Sequence, residues 1–264
     1  MPHAQVNGQR LYYEDTGGDG PAILFSHGLL MDSSMFAPQV QALANLGWRC
    51  ISWDERAHGQ TATGECAPFS YYDSADDAVA LLAQLGVAHA VLAGMSQGGY
   101  LSLRAALRHP QVVRALVLID TQAMTEEAHK MAGHQGVVQE WLQGGLSDER
   151  AVGIEHLILG EGWEGAAAWR AKWQRMQPGD LLAAFTTLAT RDDISAEIAR
   201  IHAPALVIHG DADQAIDIER ARSMAGALPQ AQMVVIPGAG HAPNLTHPQL
   251  VNQVLLEFLG QLPA

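Results

Sequence analysis

AVLAGMSQGGYLSL, residues 90–103, sets one serine, Ser96, between an apolar run and a segment of helical periodicity, with Gly94, Gly98 and Gly99 around it. The short apolar run reads as a strand buried on both faces, and the stretch after Ser96, which continues to Pro110, reads as a helix. A hydroxyl is a poor nucleophile at neutral pH, so it must be presented to a base and kept clear of neighbouring atoms. A sharp strand-to-helix turn does both. It holds the serine in a sparsely populated backbone conformation, at a cost of about 1 to 3 kcal/mol, and leaves no room for side chains two residues to either side. Gly94 and Gly98 occupy those two places. The helix that follows aims its free N–H groups and positive end at any oxyanion formed beside Ser96. A bare G-x-S-x-G arises by chance in roughly one chain in ten of this length, so the rest of the chain has to decide.

Outward from this stretch, short apolar runs recur with helical patterns between them: AILFS (22–26), WRCISW (48–53), AVLAG (90–94), ALVLID (115–120), ALVIHG (205–210) and QMVVIP (232–237). Runs so uniformly apolar belong to parallel strands covered by helices on both faces. VNGQRLYYE (6–14) reads as a hairpin turned at Asn7-Gly8, an antiparallel edge to the sheet. Ser74, followed by Asp76 and Asp77, is expected to cap a helix that stops at Gly86. The fold class is therefore α/β, a doubly wound sheet. From about Gln122 to Thr190 no strand pattern is found, only helical pieces: SDERAVGIEHLIL, capped by Ser147 and ended by Gly160, and WRAKWQRM, ended by Pro178-Gly179. Residues 122–190 are thus expected to form a helical cap inserted into a core built from 1–121 and 191–264. The insertion holds Trp141, Trp163, Trp169 and Trp173 together with Met124, Met131 and Met176. Leu30, Met124, Trp141, Trp163 and Trp169 are the candidates for the substrate pocket.

Composition removes several function classes. A formal charge of -13 repels polyanions and argues against nucleic acid as a partner. No apolar run approaches membrane-spanning length, and MPHAQVNGQR lacks the blocks of a secretory signal, so a cytoplasmic location with no membrane partner is expected. Cys50 and Cys66 are too few for a disulfide framework and read as thiols. His129, His134 and His156 lack a metal-ligand spacing, and no metal or cofactor is expected.

Three further pieces extend the serine motif. HGDADQAI (209–216) places carboxylates just past the strand ALVI, and PGAGHAPNLTHP (237–248) places His241 in a Gly-rich loop after the last strand. SHGLL (26–30) follows the first parallel strand and can lend a backbone N–H. Asp211 and Asp213 are both candidate acids, Asp217 is a weaker one, and His247 is a lesser rival to His241. The order serine, aspartate, histidine is that of the α/β-hydrolases.

SHGLL, WDERAHGQT, GMSQGGY, RHPQVVRALVLID, HGDADQAI and GAGHAPNLTHP resemble, in order and over nearly the whole chain, the landmarks of the α/β-hydrolase superfamily. The likeness is strongest to its small capped esterases, enol-lactonases and cofactor-free haloperoxidase-like members. The resemblance implies Ser96 as nucleophile, His241 as base and, by the family's spacing from Gly210, Asp213 as the acid. It implies an oxyanion hole from the backbone N–H groups of Gln97 and Leu29, and a small ester or lactone as substrate. Carbon-carbon bond hydrolysis, perhydrolysis and ligand binding without turnover are the alternatives within the same family. The chain departs from the family's Asp-x-Arg-Gly-His-Gly in having Ala57 between Arg56 and His58.

Overall fold

The computed structural model describes residues 2–263. Its eight strands are β1 (His3–Val6), β2 (Gln9–Asp15), β3 (Ala22–Ser26), β4 (Arg49–Trp53), β5 (Ala90–Met95), β6 (Val113–Ile119), β7 (Ala205–Gly210) and β8 (Ala231–Ile236). They form one sheet in the order β1-β2-β4-β3-β5-β6-β7-β8. From β4 to β8 every pairing is parallel, and β1 and β2 are the antiparallel edge. Val6 pairs with Gln9, leaving Asn7 and Gly8 as a two-residue turn with both φ positive, the twist that suits a tight hairpin. All residues of β3, β5 and β7 are buried, as their unbroken apolar runs require.

The helices are α1 (Ala37–Ala44), α2 (Tyr71–Gln84), α3 (Gln97–Arg108), α4 (Ala128–Gly144), α5 (Asp148–Leu159), α6 (Ala166–Trp173), α7 (Pro178–Ala189), α8 (Ile218–Ala227), α9 (Pro243–Thr246) and α10 (Pro248–Leu259). The cap of helix α2 lies four residues before the expected one. Ser70 accepts from the Asp73 N–H while the Asp73 carboxylate accepts from the Ser70 N–H, a reciprocal box that outcompetes Ser74, whose hydroxyl instead donates to the Ser70 carbonyl. Pro178 begins α7 at its first turn rather than ending α6, the position where a missing N–H costs nothing. Helices α4 to α7 all lie between β6 and β7, and no strand is found among the described residues from Asp120 to Pro204.

Candidate active site

The glycines around Ser96 serve close approach rather than flexibility. A Cβ on Gly94 would sit 2.1 Å from the Gly98 carbonyl, and one on Gly98 would sit 1.9 Å from the Ser26 carbonyl. Strand β5, helix α3 and the end of β3 are thereby pressed together, and the chain turns within a single residue. That residue is Ser96, at φ 50 and ψ -113, a region that side-chain-bearing residues rarely occupy. It is held there by its N–H to the Ile119 carbonyl (2.8 Å) and by the Thr121 hydroxyl donating to its own carbonyl (2.7 Å).

On one side of Ser96 stand the loops after β7 and β8. His241 Nδ1 donates to Asp213 Oδ2 at 2.8 Å, which leaves Nε2 as the basic nitrogen of a ring that lines the same cavity as Ser96. The other oxygen of Asp213 accepts from the N–H groups of Ala215 (2.8 Å) and Ile216 (3.2 Å), fixing the carboxylate plane. Of the rival acids, Asp211 accepts from the Gly238 N–H at 2.6 Å and Asp217 caps α8. His247 sits at the N-terminus of α10, its Nδ1 2.9 Å from the Thr246 hydroxyl. Among the described residues no hydrogen bond joins Ser96 to His241; bonds of this kind are often long before substrate arrives.

On the other side lies the turn after β3. The Met31 N–H closes it onto the Gly28 carbonyl (3.0 Å), with Leu30 at φ 64 inside it. Neither the Leu29 nor the Gln97 N–H has an acceptor among the described residues, and both residues lie beside Ser96. Below the turn, His27 Nδ1 donates to the Gly28 carbonyl (2.8 Å) and its Nε2 accepts from the Glu55 N–H (2.9 Å), so both ring nitrogens are used by a neutral imidazole. Burial pushes His27 down to about 4, and His58, packed against it with the ring planes inclined by 55° and bonded to the Arg56 carbonyl, down to about 3.

Behind Asp213 is a second, wholly buried carboxyl. Asp120, at φ 43 after β6, accepts from the Gly210 N–H (2.9 Å). Burial, then the nearby Asp213 charge, raises Asp120 well above the usual carboxylate range. Burial would raise Asp213 too, but the charge and hydrogen bond of His241 hold it below that range. Two close carboxyls cannot both ionise cheaply, so the proton resides on Asp120 and the charge on Asp213. His209, its pKa lowered by burial, donates to the Ile216 carbonyl and lies 3.5 Å from Asp213.

The cavity above these groups holds about 330 Å³. Leu30 and Trp141 line it, as expected from the sequence. Met124, Trp163 and Trp169 do not. The Met124 carbonyl accepts from Arg191, Trp163 packs over Gly165, and Trp169 is buried under the Lys172 ammonium. The walls come from residues that sequence reasoning missed: Met95, Val138, Ile154, Leu181, Phe185 and Ile216. Tyr100, one turn beyond Ser96 on α3, and His134 on α4 add polar groups. The apolar face of α7 was readable from its spacing. Nothing in the sequence marked which apolar faces of α4 and α5 turn toward Ser96.

Arg56 pairs with the buried Asp77 of α2 at 2.6 Å, and Asp54 ties Ser33 to Gln60 by two N–H bonds of 2.7 Å. Ala57, where glycine is usual, is buried at φ 65. The loop therefore keeps the left-handed turn and carries the strain of a Cβ in it.

A family model described as the alpha/beta hydrolase fold matches residues 21–248. A putative non-heme chloroperoxidase of Synechocystis sp. is 28% identical, with 98% of this chain and 100% of that protein covered. A thermophilic esterase from Thermogutta terrifontis superposes with a TM-score of 0.86 at 27% identity, over 97% of this chain and 95% of that one. The enol-lactonase from Burkholderia xenovorans LB400 superposes with a TM-score of 0.89 at 25% identity, over 98% and 100%. With the sheet order, the serine turn and these matches together, the chain belongs to the α/β-hydrolase fold family.

Proposed function

We propose that this protein is a serine hydrolase of small, mostly apolar carboxylic esters or lactones, working through an acyl-enzyme on Ser96. The observation that carries the reading is the 2.8 Å bond from His241 Nδ1 to Asp213, made by a ring that shares one cavity with Ser96. In the first half-reaction Ser96 Oγ bonds to the substrate carbonyl carbon while its proton passes to His241 Nε2. The tetrahedral oxyanion is met by the N–H groups of Leu29 and Gln97, whose bonds strengthen as charge develops. The carbon-oxygen bond to the leaving group then breaks, and Nε2 returns the proton to the departing alkoxide. In the second half-reaction water attacks the acyl carbon, gives a proton to Nε2, and Ser96 leaves with it as the acid is released. Asp213 stays ionised throughout and stabilises the imidazolium.

The apolar walls and the size of the cavity favour a compact uncharged acyl group. The esterase and enol-lactonase among the structural neighbours accord with this class. The four helices α4 to α7 act as the cap, and Leu30 and Trp141 are the pocket residues retained from the sequence reading. The test is a fluorophosphonate probe with mass mapping of the adduct, alongside steady-state hydrolysis of nitrophenyl acetate, butyrate and octanoate and of a simple lactone. The reading expects a single adduct on Ser96 and multiple turnover, greatest for the short and medium esters. Labelling elsewhere, or binding of the esters without turnover, overturns it.

A further inference from the structure

We propose that Trp173, at the end of α6, is a positioning residue that fastens the oxyanion turn from above. The proposal rests on the hydrolase reading and adds a role for the cap in it. Its indole Nε1 donates to the Leu30 carbonyl at 2.9 Å, and the ring is 1% exposed. Leu30 is the residue at φ 64 in the turn that begins at Gly28, and Leu29 precedes it directly. A leucine is strained in that left-handed conformation and gains by relaxing to negative φ. The Leu30 carbonyl shares a peptide with the Met31 N–H, which bonds the Gly28 carbonyl (3.0 Å), and that carbonyl lies in the same peptide plane as the Leu29 N–H, so such relaxation shifts the setting of the Leu29 N–H. The Trp173 bond opposes the shift by holding the far end of Leu30.

The grip has a second point. Lys172, the neighbour of Trp173, reaches Asp32 Oδ2 at 2.7 Å and the Ser34 hydroxyl at 2.8 Å, just beyond the same turn. Trp173 therefore acts through the backbone of the turn. An oxyanion donor contributes most when it is fixed before the charge appears, and its orientation influences the transition state far more than the bound substrate. The signature of a positioning role is accordingly a fall in kcat with little change in KM.

The test compares wild type, Trp173→Phe, Leu30→Gly and the double variant, with nitrophenyl butyrate as substrate and an alkyl boronic acid as transition-state mimic. Trp173→Phe is expected to lower kcat about tenfold, leave KM within twofold, and weaken the boronate by a factor similar to the loss in kcat. Glycine at position 30 removes the strain that the indole opposes, so in the Leu30→Gly background the same change should cost less than threefold. Equal losses in both backgrounds, or a rise in KM with kcat intact, would mean that Trp173 only packs the cap and would overturn the proposal. Should Trp173→Phe fail to fold, Lys172→Met gives the second reading: a loss of kcat relieved by Leu30→Gly supports the grip, and unchanged kcat overturns it. An active, Ser96-labelled wild type with an indifferent Trp173→Phe defeats this inference alone. A wild type without turnover or label defeats both this inference and the hydrolase reading.

Discussion

The two sides of Ser96 are built by different means. Toward β7 and β8 the parts are side chains, His241, Asp213, Asp120 and His209, set by hydrogen bonds and by which carboxyl holds a proton. Toward β3 the parts are backbone groups, and order comes from conformations that residues with side chains ordinarily avoid, at Leu30 and at Ser96 itself. The first side is sensitive to what a residue is. The second is sensitive to what its backbone tolerates.

The sharpest break in this comparison is on the side-chain half. Ser96→Ala and His241→Ala should each lower kcat for nitrophenyl butyrate by about 10⁴-fold or more, and Asp213→Asn by about 10³ to 10⁴, with circular dichroism unchanged. Asp211→Asn and His247→Ala should stay within a few-fold, and a large loss in either would reassign the acid or the base. On the backbone half, the matching break is Gly98→Ala. Its new Cβ meets the Ser26 carbonyl at 1.9 Å, so a loss of roughly 3 kcal/mol or more of stability is expected in chemical denaturation.

A subtler measurement concerns the charges buried beneath both halves. Burial, with help from the Asp77 charge, pushes Glu55 up to about 8. Between the unfolded carboxyl's value of about 4.3 and 8 the folded chain holds a proton that the unfolded chain has released, so this group makes stability fall as pH rises. His27 and His58 act in the opposite direction. Their folded values of about 4 and 3 lie below the free value of about 6.5, so stability falls as pH drops from there. Melting temperature should therefore peak near neutrality, and Glu55→Gln should flatten the fall between about pH 6.5 and 8 while steepening the acid limb, where the Glu55 and histidine contributions oppose each other. The smallest expected effect is a gain. Ala57→Gly relieves a left-handed Cβ and should raise stability by about 0.5 to 1 kcal/mol after the added freedom of the unfolded glycine is subtracted. Thermal melts would register this as an increase of a few degrees at most.

The same division explains how much was legible beforehand. The strands of the parallel core, the hairpin at Asn7-Gly8 and the serine turn follow from patterns only a few residues long. The pairing of Asp213 with His241, now at 2.8 Å, was implied by the family resemblance, since the residues alone left Asp211 and Asp213 both open. The pocket was only partly legible, because a tryptophan pattern does not say which face of a helix meets the cavity. Trp141 faces it, whereas Trp169 lies under Lys172 and Trp173 is occupied with the Leu30 carbonyl. The cap start of α2 was misread because two serines four residues apart both precede acids, and only one of them can close a reciprocal pair.

Where the helical excursion leaves and rejoins the sheet has a consequence for engineering. The Ile194 N–H donates to the Ala123 carbonyl at 3.1 Å, and the buried Arg104 of α3 grips Asp192 through both its carbonyl and its carboxylate. The detour of some seventy residues thus opens and closes through a single doorway. A foreign insert whose ends meet at the same spacing is expected to leave β6 and β7 in place.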